Sequence, residues 1–95
     1  MSGLDEPYVL AVARSAARSL KAGLPEKVAV AVYEFITGPL LENPHRVGKR
    51  LDPPLAPAYS ARRGAYRVLY LIDDDVRRVT VTVTAIAHRS DAYRI

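Results

Sequence analysis

Arginine, histidine and tyrosine side chains gather at the ends of two strand-like segments in the second half of the chain. Arg62 and Arg67 flank the start of an apolar run, and His88, Arg89 and Tyr93 follow the last one. Burying a guanidinium without a partner carries a large desolvation cost, so Arg67, which stands within the apolar run, requires a partner or a phosphate group. These residue types are suited to handling phosphate.

Cleavage of a phosphodiester without a metal ion makes three chemical demands. A base must remove the proton of the attacking hydroxyl group, a positive group must stabilise the added charge on the phosphate, and an acid must protonate the leaving oxygen. Arginine meets the second demand, because its planar fork matches phosphate oxygens. Arg62 and Arg67 are therefore candidates for binding a phosphate.

Length and composition limit the possible classes of protein. A chain of 95 residues predicts one domain, residues 1–95, with a modest core. The absence of cysteine excludes disulfides and thiolate metal sites. Because His45 and His88 stand apart in the sequence, we predict no metal site and no cofactor. No apolar stretch approaches the roughly 20 residues that span a bilayer, and no secretion signal is recognisable, so we expect a cytoplasmic protein without membrane contact.

Positive charge is concentrated in the second half of the chain. Residues 1–45 carry four basic and five acidic side chains, whereas residues 46–95 carry ten basic and five acidic ones. A concentrated basic patch attracts nucleic acid or an acidic protein partner. A basic surface also serves solubility, and charge alone does not choose between these roles.

The first half of the chain predicts one strand and two helices. The apolar segment Tyr8–Ala13 predicts a buried strand. Ser15 is placed to cap a short helix that ends at Gly23, and Pro25 opens a second helix, which Gly38-Pro39 interrupts. The predicted core stripe of the second helix consists of Val28, Val32, Phe35 and Ile36.

A loop and three strands are predicted for the second half. Residues 45–57 are rich in proline and charge, which is typical of a surface loop, and His45 is assigned to it. Strands are predicted at Ala58–Arg63, Ala65–Ile72 and Arg78–His88, the last two joined by a solvated turn at Asp73-Asp74-Asp75. The expected fold is α+β: a helical hairpin packed on one face of a twisted antiparallel β-sheet of about four strands.

Alternation along each strand predicts which face a side chain occupies. The face expected to contact the helices carries Tyr59, Ala61, Tyr66, Val68, Tyr70, Ile72, Val79, Val81, Val83 and Ala85. The open face carries the threonines of the last strand, and on it Ser60, Arg62, Arg67 and His88 converge. A β-bulge would reverse the assignment for residues beyond it.

Four segments carry a family resemblance. They are Leu24-Pro25, the stretch NPHRVGKRL from Asn43 to Leu51, the stretch SARRGAYRVLYLID from Ser60 to Asp73, and HRSDAY from His88 to Tyr93. Their order and spacing resemble the RelE family of bacterial toxins, within the RelE/ParE superfamily, over nearly the whole chain. The resemblance implies a RelE-like fold, neutralisation by a co-transcribed RelB-like antitoxin, operator DNA binding by the toxin–antitoxin complex, and cleavage of messenger RNA on the ribosome.

The resemblance also implies roles for particular residues. Arg67 would hold the scissile phosphate with Arg62 beside it, His88 would act as acid or base with Arg89 next to it, and Tyr93 would stack on or orient a base. Contacts to RNA or the ribosome are assigned to Arg46, Lys49, Arg50, Ser60 and Arg63. The chain departs from the family pattern at Ala58 and Ser60, where the best-known RelE toxins carry two basic residues.

Two function classes remain open at this point. The first is a metal-independent endoribonuclease toxin that acts on the ribosome. The second is a non-catalytic interaction protein, either a ParE-like inhibitor of DNA gyrase or an attenuated toxin that acts through antitoxin binding and repression of its operon. Arg67, His88 and Tyr93 favour the enzyme, and the missing basic residues at Ala58 and Ser60 favour the alternative.

Overall fold

A computed structural model of the protein describes residues 7–87. The first part of the fold contains a strand followed by helical segments: β1 (Val9–Val12), α1 (Arg14–Arg18), which continues as a π-helical turn (Ser19–Gly23), α2 (Glu26–Thr37), α3 (Pro39–Glu42) and α4 (Pro44–Val47). The second part contains β2 (Lys49–Arg50), β3 (Tyr59–Arg63), β4 (Tyr66–Asp73) and β5 (Arg78–Ile86).

The strands form one mixed sheet in the order β1-β5-β4-β3-β2. The pairs β2–β3, β3–β4 and β4–β5 are antiparallel, whereas β1 lies parallel to β5. Helices α1 and α2 pack on one face of this sheet. The predicted α+β class is confirmed, with one parallel pair and a fifth, two-residue strand beyond the expected arrangement.

The prediction of a continuous loop over residues 45–57 is wrong at its beginning. Pro44 starts the helical turn α4, because proline has the backbone angle that the first helical position requires. β2 then pairs with β3, Lys49 opposite Ser60 and Arg50 opposite Tyr59. This edge pairing is too short to show as alternation in the sequence.

A β-bulge interrupts the pairing of β4 with β5. Leu69 lies opposite Val83 but Tyr70 lies opposite Val81, so Thr82 is the extra residue. Its carbonyl accepts a hydrogen bond from the Ser15 hydroxyl at 3.0 Å, and its own hydroxyl donates to the Leu69 carbonyl at 3.2 Å. The predicted cap at Ser15 is thereby corrected: α1 begins at Arg14, and Ser15 contacts the bulge instead.

The bulge reverses the faces of β5 beyond Thr82. Thr84 pairs with Val68 and is buried, whereas Val83 and Ala85 pair with Leu69 and Arg67. The assignment of Val83 and Ala85 to the helix face is therefore wrong, as is that of Thr84 to the open face.

The core lies between the helices and the sheet. Tyr70, Val68, Val79 and Val81 are fully buried from the sheet side and Val32, Ile36 and Leu40 from the helix side. Within residues 7–87 no helix has the length and apolar character needed to cross a membrane.

Candidate functional site

A cleft of about 390 Å³ lies on the sheet face that α1 and α2 leave uncovered, between the sheet and the segment that follows α3. Its described lining carries four cationic side chains and one hydroxyl, contributed by α4, β2, β3 and β4. The lining residues are Arg46, Val47, Gly48, Lys49, Ser60, Arg62 and Arg67. A concave surface with this charge attracts anions and raises their local concentration.

Two arginines face each other at the floor of the cleft. Arg62 on β3 is the direct cross-strand neighbour of Arg67 on β4. Like charges in this position repel, so an anion bound between them would relieve the repulsion. Arg67 is only 8% exposed, and its Nη1 donates to Ser60 Oγ at 3.3 Å. The Arg67 guanidinium is thereby oriented within the sheet, whereas Arg62 is exposed.

One wall of the cleft is formed by α4, Gly48 and β2, and it is packed tightly against the sheet at Gly48. A Cβ atom at this position would lie 2.7 Å from the Ser60 carbonyl oxygen and would overlap the Tyr70 hydroxyl. The Tyr70 hydroxyl donates to the Pro44 carbonyl oxygen at 2.6 Å, and burial raises the pKa of Tyr70 to about 12. Tyr70 also stacks on Tyr59 with 5.6 Å between ring centroids. The wall is therefore fixed to the core through one tyrosine.

A second set of contacts holds the same wall at α4, through His45. His45 Nε2 lies 2.9 Å and 3.1 Å from the two carboxylate oxygens of Asp74, and its Nδ1 lies 3.2 Å from the Tyr59 hydroxyl. The Tyr8 hydroxyl donates to the same Asp74 carboxylate. Hydrogen bonds from Tyr8 and from His45 lower the pKa of Asp74, and the bond to Asp74 raises the pKa of Tyr8.

These contacts correct one expectation from the sequence and extend another. His45 is part of α4 rather than of a loop. The aspartate turn is exposed to solvent, as expected, and in addition Asp74 is bound by Tyr8 and His45, and Asp73 accepts hydrogen bonds from the backbone of Asp75 and Val76.

The structure separates some predicted site residues from the cleft. Arg63 lies on the helix side, its guanidinium carbon 4.8 Å from the centre of the Phe35 ring. Arg50 contributes to a neighbouring depression along the edge of the sheet. His88, Arg89 and Tyr93 lie outside the described residues, and the parity that grouped His88 with Arg67 was counted through Thr82, where the bulge interrupts it.

Curated relatives match the chain over nearly its full length. The toxin RelE of Mycobacterium tuberculosis is 53% identical over 91 residues, which cover 96% of this chain and 91% of the relative. The toxin RelG of the same organism is 46% identical over 88 residues, covering 93% of this chain and 98% of the relative. The chain belongs to the RelE family of toxins.

Solved structures of RelE proteins have the same fold. The toxin–antitoxin complex RelBE2 of M. tuberculosis contains a chain that matches with a TM-score of 0.82 and 41% identity, over 86% of this chain and all of that chain. The isolated E. coli RelE toxin matches with a TM-score of 0.69 and 22% identity, over 90% of each chain, which shows the fold alone. No family model matches.

Within this RelE-family chain, the cleft includes residues that reasoning from the sequence did not assign. Val47 and Gly48 line it, and His45, Tyr59 and Asp74 support its wall. Gly48 was detectable in principle, because it lies in the NPHRVGKRL stretch directly before two basic residues. The pairing of His45 with Asp74 had no local sign, since 29 residues separate them.

Proposed function

We propose that this RelE-family toxin is an endoribonuclease that cleaves messenger RNA on the translating ribosome without a catalytic metal. The supporting observation is the cross-strand pair of Arg62 and Arg67 at the floor of a cationic cleft. Such a pair is suited to the extra negative charge that a phosphate gains during attack by the neighbouring 2′-hydroxyl. Fixed donors stabilise that charge without reorganising during the reaction.

The roles of the floor residues follow from their geometry. Arg67, oriented by Ser60 and nearly buried, holds the scissile phosphate. Arg62, which is exposed beside it, adds charge at the same phosphate or the next one. Arg46 and Lys49 in the wall bind flanking phosphates, because single-stranded RNA presents a charge at every nucleotide.

Lys49 offers a replacement for the basic residue that is missing at position 60. Where the best-known RelE toxins carry a basic residue on β3, this chain has Ser60, but Lys49 on β2 is the direct neighbour of Ser60 across the sheet. A cation is therefore supplied to the same part of the cleft from the adjacent strand. This arrangement supports retention of phosphate binding.

Proton transfer is assigned to residues outside the described part of the chain. His88 acts as acid or base because histidine changes charge near neutral pH. Tyr93 stacks on or orients a base, and Arg89 adds charge near the leaving group. These assignments rest on the family pattern.

Mapping of messenger RNA ends on translating ribosomes tests the activity. After induced expression, we expect cuts at the ribosomal A site and intact messenger RNA when translation is blocked. The Arg67→Ala variant serves as the inactive control. Intact messenger RNA accompanied by gyrase-dependent DNA damage would instead support the ParE-like alternative.

The proposed regulator is an acidic RelB-type antitoxin. The chain carries a net charge of +4, and solved structures show other RelE toxins bound to RelB antitoxins. A partly disordered acidic chain that folds on binding suits such a surface. We further propose that the complex binds operator DNA, and that the toxin acts in the cytoplasm, where translation occurs.

Expression alone and together with the neighbouring open reading frame tests the partner. We expect growth arrest from the toxin alone, rescue by co-expression, and copurification of both proteins. A toxin that is harmless alone and copurifies with no acidic partner would remove this proposal.

A further inference from the structure

The segment that forms the cationic wall of the cleft has little structure of its own. α4 spans only Pro44–Val47, and β2 is two residues long. Isolated helices of this length are not stable in water. The positions of Arg46 and Lys49 must therefore be imposed by contacts from outside the segment.

His45 provides such a contact directly before Arg46. Its ring bridges Asp74, on the turn between β4 and β5, and Tyr59 on β3. Nε2–H can donate to Asp74 in both protonation states of the ring. Nδ1 accepts from the Tyr59 hydroxyl when the ring is neutral and donates to it when the ring is protonated. The bridge is therefore available in either state.

The other groups around Asp74 reinforce the bridge. Tyr8 donates to the Asp74 carboxylate, and the Arg77 guanidinium carbon lies 4.3 Å from the centre of the Tyr8 ring. The carboxylate is about 60% exposed, and His45 is about 43% exposed. The cluster faces solvent outside the cleft. His45 joins it to α4, and Tyr59 stacks on Tyr70, whose hydroxyl donates to the Pro44 carbonyl oxygen.

We infer that the Asp74–His45–Tyr59 bridge is a positioning device that sets the basic wall of the cleft for binding the phosphates that flank the cleaved bond. His45 and Asp74 are positioning residues that act through Arg46 and Lys49. The inference rests on the proposed function and adds to it a specific arrangement for substrate binding. Because the floor residues stand on the sheet, the bridge is expected to affect binding and not the chemical step.

Kinetic constants on ribosomes programmed with a defined messenger RNA test the inference. For His45→Ala and Asp74→Ala we expect KM to rise about five- to tenfold with kcat within about twofold, the pattern of lost uniform binding. His45→Gln should recover most of the loss, because its amide can still donate to Asp74. Asp75→Ala is the matched control: it removes a carboxylate one residue away and should change nothing.

Repeating His45→Ala in a variant that lacks both cations of the wall distinguishes a positioning role from general destabilisation of the protein. In an Arg46→Ala/Lys49→Ala protein, adding His45→Ala should have no further effect on KM, because the wall it positions has lost its cations. A further five- to tenfold loss in that background would overturn the inference. So would a wild-type KM in both His45→Ala and Asp74→Ala.

A binding measurement distinguishes failure of this inference from failure of the proposed function. The affinity of the whole protein for a short fluorescent single-stranded RNA is measured by anisotropy for the same variants. If the wild-type protein cleaves nothing on ribosomes, the ribonuclease proposal fails. A five- to tenfold weaker RNA affinity of His45→Ala would then still support positioning, and an unchanged affinity would refute it.

Discussion

Val68 and Tyr70 on β4 face the helices and are fully buried, whereas Arg67, directly before Val68, faces the cleft and is 8% exposed. The same alternation separates Arg62, in the cleft, from Arg63, which packs over Phe35 on the helix side. Adjacent residues thus serve stability on one face and the proposed chemistry on the other. The separation is incomplete, because Tyr70 and Gly48 connect the core to the wall of the cleft.

The largest effect is expected at the floor of the cleft. Arg67→Ala should lower kcat by about 10²- to 10³-fold, the usual loss when one fixed donor to a developing negative charge is removed. Arg63→Ala is the matched control, since it removes the same group from the opposite face. It should keep its activity within about twofold and lose about 0.5–1 kcal/mol of stability through the lost contact with Phe35. Single-turnover cleavage and denaturant unfolding measure both quantities.

Unfolding of the Arg67→Ala protein is the result that would contradict the comparison of the two faces. It would show that the cleft arginine is a structural residue. Equal losses of activity in the two variants would show that the faces are not functionally distinct.

Gly48→Ala tests where the two faces meet. The backbone of Gly48 is extended, with φ −134° and ψ −176°, so alanine is allowed there and only the lack of space opposes it. Displacing the wall from Tyr70 and Ser60 should cost about 1–3 kcal/mol and raise KM. Thermal unfolding and ribosome kinetics check this. A stable variant with unchanged KM would mean that the wall moves freely without consequence.

Tyr70→Phe tests the same connection between the core and the wall, from the side of the core. It leaves the Pro44 carbonyl without its donor, at a cost of about 1–3 kcal/mol. Combined with Gly48→Ala it should cost less than the sum of the two, because the hydroxyl is part of the overlap. Additive losses would show that the hydroxyl does not limit the space at position 48.

The raised pKa of Tyr70 predicts that the free energy of unfolding falls as the pH rises above the ordinary pKa of tyrosine. Because the folded pKa is about 12 and the ordinary value is 10, the folded state holds its proton more tightly than the unfolded state. This contribution to stability is complete below pH 10 and is lost as pH rises from 10 to 12. Urea unfolding across this range should show a steeper decline for wild type than for Tyr70→Phe. Parallel declines would assign the effect to other tyrosines.

The sequence predicts the floor of the cleft better than its wall. Alternation brought Ser60, Arg62 and Arg67 to one face because β3 and β4 pair without interruption over that stretch. It failed for Val83, Thr84 and Ala85 because the bulge at Thr82 interrupts the alternation, and Ser15, which donates to the bulged residue, lies 67 residues away in the sequence. The role of His45 was missed because its partners, Tyr59 on β3 and Asp74 on the turn after β4, are also distant from it in the sequence.

Thr84 offers the smallest effect and the most direct test of the bulge. It is 4% exposed on the helix face, and its hydroxyl has no hydrogen-bond partner in the part of the chain described here. Thr84→Val keeps the shape and removes the unsatisfied hydroxyl, so it should stabilise the protein by about 1 kcal/mol. Thr82→Val, two residues earlier, should instead lose about 0.5–1.5 kcal/mol, because it removes the hydrogen bond to Leu69. Neither change should alter cleavage. Opposite signs in chemical denaturation would support the reversed faces of β5, whereas destabilisation by Thr84→Val would mean that its hydroxyl is bonded and that the strand continues without a bulge.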